Sequence, residues 1–189
     1  MQITIIAPVL GEENNGTTVA TFNLIRSLRE KGHQVNVVCG DEYRKGEEGF
    51  FILPILSLGP INPIVKANNV VLAKLDKRII REACKGSDVV HVTMPLFLGA
   101  RVAKFVKQEL NIPVTGGFHA QAENFSSHIL NLMNNNLFNT IIYRKYNKGL
   151  YQYCDAIHYP TKFIRDVFED IVGPTPGYVI SNGVRETFY

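Results

Sequence analysis

Short runs rich in β-branched residues alternate with helix-period segments along almost all of the 189 residues. That alternation is the pattern of a parallel sheet with helices on both faces. Seven strands are expected: "QITIIAP" at 2–8, "HQVNVVC" at 33–39, "FFILPI" at 50–55, "SDVVHVT" at 87–93, "IPVTGGF" at 112–118, "CDAIHYP" at 154–160 and "GYVIS" at 177–181. Pro54 interrupts the third. Between them, "TTVATFNLIRSLREKG" sets Val19, Phe22, Ile25 and Leu28 on one helical face, with Gly32 placed to end the helix. A basic helix is predicted over Ala67 to Cys84, a helix over 95–110 with Pro95 near its start, mostly helix over 121–153, and a helix opening after Thr161. The expected fold class is α/β: one Rossmann-like, three-layer domain over residues 1–189, with a mostly parallel sheet of about seven strands.

An apolar fraction of 46% with 20% charged residues is the balance of a soluble globular protein. The formal charge of +3, with no long basic block interleaved with aromatics, argues against nucleic acid as a partner. Cys39, Cys84 and Cys154 form no CxxC pair and no metal-spaced cluster. They read as small buried apolar residues in a reducing compartment. The N-terminal apolar run is short and lacks a basic leader, which fits a core strand rather than a signal peptide. No window approaches the length needed to span a bilayer. The expected location is cytoplasmic, with peripheral attachment to the inner face of the cell membrane. That attachment is suggested by the predicted basic helix, where Lys74, Lys77, Arg78 and Arg81 interleave with Val71, Leu72, Leu75, Ile79 and Ile80. A plain solvated helix exterior explains the same pattern.

In an open parallel sheet ligands bind beyond the carboxyl ends of the strands, where loops and helix N-termini converge. Three stretches fall there: "VLGEENNGTT", "HVTMP" and "GGFHAQAEN". Gly16 and Thr17 open a helix whose free N–H groups and dipole suit a phosphate, although an ordinary Asn-Gly turn accounts for the loop equally well. The loop is neither GxGxxG nor a P-loop, and only Asp41 offers an acidic residue after the second strand, which disfavours a dinucleotide oxidoreductase. Gly116 and Gly117 mark a place where the backbone leaves the sheet or is closely approached. His119 follows directly and can donate or accept a hydrogen bond at neutral pH. His91 reads as a core or strand-end residue. Glu123 reads as a helix N-terminal carboxylate or a general base, with Asn124 beside it. His119, Glu123 and His128 match no zinc-protease spacing, so no metal and no cofactor are expected.

Taken in order, "GTTVATFNLIRSLREKGHQVNVVC", "SDVVHVTMP", "IPVTGGFHA", "YCDAIHYPTKFIRDVF" and "GYVISNGVRETFY" resemble the N-terminal domain of family 4 retaining glycosyltransferases, across the whole chain. The stretch "HAQAEN" further resembles members that glycosylate membrane lipids such as diacylglycerol. The resemblance implies the N-terminal half of a GT-B fold. It also implies a C-terminal domain of the same polypeptide, following the "VISNGV" hinge and carrying most of the nucleotide-sugar site. The chain would then be the acceptor-binding half and would transfer no sugar alone. By the same resemblance, Gly16 and Thr17 approach the donor diphosphate and His119 contacts the transferring sugar, with Glu123 and Asn124 on the acceptor side. The implied partners are a nucleotide sugar, a membrane-lipid acceptor and an anionic membrane surface. A non-catalytic module that holds a nucleotide or sugar phosphate in the same crevice is the alternative.

Overall fold

The computed structural model describes residues 1–8, 10–11, 16–55, 73–95, 97–119 and 136–182. The elements follow in the order β1 (Gln2–Ile6), α1 (Gly16–Glu30), β2 (Gln34–Cys39), β3 (Phe50–Ile52), α2 (Lys77–Ala83), β4 (Val89–Val92), α3 (Phe97–Phe105), β5 (Val114–Gly117), α4 (Asn136–Gly149), β6 (Ala156–Tyr159), α5 (Lys162–Val172) and β7 (Gly177–Val179). They build a seven-stranded sheet of order β3-β2-β1-β4-β5-β6-β7. Every strand pair is parallel. The chain therefore winds outward from β1 to β3, then returns beside β1 to form β4 and winds the other way. The β1/β4 boundary is the topological switch point, where connections diverge and leave a crevice at the carboxyl edge.

Alternation along the strands divides the core. Ile3 and Ile5 of β1, with Val35 and Val37 of β2, bury against Phe22 and Ile25 of α1. Ile6, Val90, Val114 and Ile157 face the other layer, where Ile80 of α2, Val102 of α3, Tyr143 of α4 and Phe168 of α5 cover them. Two packed interfaces on one sheet give the three layers expected. All three cysteines are free and buried. Burial pushes the Cys39 and Cys154 thiols up to about 12 and that of Cys84 to about 11, so they act as small apolar side chains.

Local chemistry sets the boundaries. Gly32 takes φ +80° just after α1, which a residue with a β-carbon adopts only under strain. Thr161 caps α5 by accepting the Ile164 N–H at 3.2 Å. The expected third strand is cut back to Phe50–Ile52, ahead of Pro54, which has no N–H to donate.

Two helices differ from expectation. The basic helix does not extend through the described residues before Lys77. Ala73 instead forms an antiparallel bridge with Ile55, the Lys74 N–H bonds the Pro54 carbonyl at 2.7 Å, and Asp76 caps α2 by accepting from the Arg78 and Ile79 N–H groups. Its predicted portion from 67 to 72 lies outside the described residues. The helix predicted to 110 is α-helical to Phe105 and ends in a π-helical turn, Val106–Leu110, closed by Asn111 in the left-handed region at φ 54°. Among the described residues no helix is long and apolar enough to cross a membrane.

Candidate functional site

The carboxyl edge beside the switch point gathers three histidines, each on or just after one of three adjacent strands. His91 is the third residue of β4, in register with Ile5 of β1 and Thr115 of β5. His119 follows β5 by two residues, and His158 lies on β6 opposite Gly117. Parallel pairing thus brings together residues separated by 67 positions in sequence, His91 to His158.

Gly117 makes the close approach possible. A β-carbon there would stand 2.8 Å from Cδ2 and Nε2 of His119 and 3.2 Å from Nε2 of His91. The next residue, Phe118, faces the opposite way and is buried in an aromatic cluster. Its ring stacks on Tyr151 at 5.0 Å between centroids and meets Phe168 edge-on at 4.8 Å. The Tyr151 hydroxyl donates to the Gly117 carbonyl at 3.1 Å. The backbone leading into His119 is therefore held by packed rings and a buried hydrogen bond, and the imidazole projects from a rigid base.

The ring of His119 stands edge-on to His158, with centroids 5.7 Å apart. His158 Nε2 lies 2.6 Å from the Ile180 carbonyl oxygen; a carbonyl can only accept, so this nitrogen carries the proton. His91 Nδ1 pairs with the Thr115 hydroxyl at 2.9 Å, while its buried Nε2 has no hydrogen-bond partner among the described residues. Burial, and then the neighbouring imidazoles of His119 and His158, depress His91 to about 3. Burial, and then His158, depress His119 to about 4. Both rings are neutral near pH 7, so they can orient a polar ligand atom without contributing a net charge.

Gly16 is the first residue of α1 and is exposed. Leu10 and Gly11, beyond the end of β1, are held by two bonds: the Thr18 hydroxyl donates to the Leu10 carbonyl at 2.6 Å, and Asp41 accepts the Gly11 N–H at 3.0 Å. Asp41, the one acidic residue noted after the second strand, is thus engaged with the backbone at Gly11. Helix α1 returns from the carboxyl edge of β1, the strand next to β4, so Gly16, Thr17, His91 and His119 all belong to the edge beside the switch point. Glu123 and Asn124 lie outside the described residues, as does His128 of the metal triplet considered above. Among the described residues no cluster of three or more His, Cys, Asp or Glu could hold a metal ion.

His158 escapes a reading of the sequence for motifs. The signal available was positional: "DVVHV" and "DAIHY" both put a histidine on the carboxyl half of a strand, and parallel pairing sets such positions side by side.

The sequence profile of Glycosyltransferase Family 4 matches residues 14–188. The chain belongs to Glycosyltransferase Family 4. No curated protein matches it in sequence. Among solved structures, this family 4 domain is similar to the Anabaena protein HepE in complex with UDP and glucose, with a TM-score of 0.60 and 11% identity over 100% of this chain and 46% of that one. Sucrose-phosphate synthase from Thermosynechococcus elongatus gives a TM-score of 0.55 and 11% identity over 95% of this chain and 47% of that one. The UDP-GlcNAc 2-epimerase of Methanocaldococcus jannaschii gives 0.53 and 13% over 95% and 45%. At these identities the likeness concerns the fold: the Rossmann-like domain that makes up one half of a GT-B structure. The family 4 domain spans a little under half the length of each of these proteins.

Proposed function

We propose that this family 4 domain is the acceptor-side half of a retaining glycosyltransferase that moves a sugar from a nucleotide-sugar donor to a membrane lipid such as diacylglycerol. The donor would be held chiefly by a C-terminal domain of the same polypeptide, facing the β1/β4 crevice. The match to Glycosyltransferase Family 4 across residues 14–188 carries the reading. A nucleotide-sugar donor is supported by the UDP and glucose, or UDP-glucose, bound to the similar HepE structures.

In this reading Gly16, Thr17 and His119 each do something their surroundings favour. The N-terminus of α1, at Gly16 and Thr17, presents free N–H groups and the positive end of a 15-residue helix to the leaving diphosphate. His119, neutral and partly desolvated, hydrogen-bonds a hydroxyl of the transferring sugar and fixes its orientation as positive charge develops at the anomeric carbon. A neutral imidazole serves that step better than an imidazolium, which would oppose the developing charge. Glu123 and Asn124 are proposed to meet the acceptor, and no metal is required.

The test joins the chain to its donor domain and supplies radiolabelled UDP-sugars with diacylglycerol in vesicles. Label appearing in the lipid fraction is expected. Label only in a water-soluble acceptor would overturn the lipid clause. Donor binding without any transfer would overturn the enzymatic reading in favour of a binding module.

A further inference from the structure

Helix α4 has two unlike faces. Ile142, Tyr143, Tyr146 and the following Leu150 are buried against the sheet. On the opposite side, Leu137 is 73% exposed and Ile141 is 42% exposed, and they are followed by the exposed cations Arg144, Lys145 and Lys148. Offsets of four, seven, eight and eleven residues from Leu137 put all five side chains on one stripe about 100° wide. No aspartate or glutamate occurs between Asn136 and Gly149. The neighbouring α3 touches α4 where Ala100 meets Gly149. It adds exposed Arg101 and Lys104, again with no acid in Phe97–Phe105.

None of these five cations has an ion-pair partner among the described residues. Other basic residues of the same layer are ion-paired: Lys77 and Arg81 of α2 share Glu109 and lie over the Phe105 ring at 4.9 and 5.0 Å, while Lys162 and Arg165 of α5 share Asp166. On α2, Lys77 and Arg81 thus already have a partner within the protein.

We propose that the outer face of α4, flanked by α3, is the surface that seats this domain on an anionic lipid bilayer. Two aliphatic tips on a convex helix can enter the headgroup region, while the long stems of Arg144, Lys145 and Lys148 let their charges reach lipid phosphates. The direction of α4 suits this. A helix joining two parallel strands returns from their carboxyl edge, so Leu137 and Ile141 stand at the end nearest His119, and seating them carries the crevice to the membrane. The inference rests on the membrane-acceptor clause of the proposed function for its purpose, but its test involves no sugar transfer.

Flotation of the 189-residue chain with phosphatidylglycerol-rich vesicles and with pure phosphatidylcholine vesicles decides it. Binding to the anionic vesicles is expected, falling with added salt, with little binding to the neutral ones. The combined variant Arg144→Glu, Lys145→Glu and Lys148→Glu is expected to lower the partition on the order of a hundredfold. Leu137→Ser with Ile141→Ser should lower it about tenfold and leave the salt dependence in place. Arg78→Glu on α2 should change nothing. Circular dichroism confirms that each surface variant is folded. Failure to bind anionic vesicles, or binding unaffected by the triple reversal, overturns the proposal. So does capture by soluble polyglutamate without vesicle binding, which would point to an acidic protein. If vesicles bind but the lipid-transfer assay fails, this surface stands and the proposed acceptor falls.

Discussion

Gly117 and His119 occupy space that only one side chain can fill: a β-carbon on Gly117 would lie 2.8 Å from two atoms of the His119 ring. The obstruction is the tip of a side chain, which can swing away, so Gly117→Ala is expected to fold with little loss of stability. It should turn the imidazole out of place and lower kcat at least tenfold when assayed with the proposed donor domain attached. A melting temperature within a few degrees of wild type, together with wild-type kcat, would show that the ring's position is irrelevant.

Phe118 is expected to separate stability from positioning in the opposite sense. Its ring packs on Tyr151, Tyr159 and Phe168, so Phe118→Ala should cost about 3–5 kcal/mol, and Phe118→Leu less. Denaturant unfolding measures both. Because Phe118 anchors the backbone beneath His119, the Leu variant should also lose turnover at temperatures where it is fully folded.

At Gly16 the fold makes no demand. Among the described residues no atom lies within 4 Å of a β-carbon built there, and φ is not in the left-handed region. Gly16→Ala should leave the melting temperature unchanged or slightly raised, since alanine favours a helix more than glycine does. If the diphosphate comes close to this backbone, the same variant raises KM for the nucleotide sugar severalfold. Unchanged KM would remove Gly16 from the donor site.

The histidine cluster makes stability depend on pH with a fixed sign. Folded His91 titrates at about 3 and His119 at about 4, whereas unfolded histidine titrates near about 6.5. Between these values the unfolded chain holds protons that the folded chain excludes, so stability rises with pH. Their contribution is complete above about pH 6.5 and is lost as pH falls toward the folded values. Each such residue adds a slope of up to about 1.4 kcal/mol per pH unit. His91→Gln, which cannot titrate, should flatten the fall in melting temperature from pH 7.5 to pH 5 relative to wild type. Equal slopes would mean that His91 is not held neutral.

Much of this was legible in the sequence. All seven strands were, because their apolar β-branched runs are bounded by turn residues, and the switch point follows once they pair in parallel. The start of α2 was not, because an apolar and basic periodicity continues on the N-terminal side of Asp76 and conceals its cap. The π-helical turn and the left-handed Asn111 carry no local signature that separates them from an ordinary helix end. At the site, Gly117 and His119 were legible as glycine beside histidine after a strand. The participation of His158 and the burial of His91 beside it depend on which strands become neighbours, and that is a property of the assembled sheet. Glu123 and Asn124 lie outside the described residues.

One substitution bears on the whole reading. In a polypeptide carrying both this domain and the proposed donor domain, His119→Ala should lower kcat for sugar transfer at least a hundredfold, with the melting temperature and donor KM close to wild type. Transfer at the wild-type rate by a correctly folded His119→Ala protein would contradict the site proposed here.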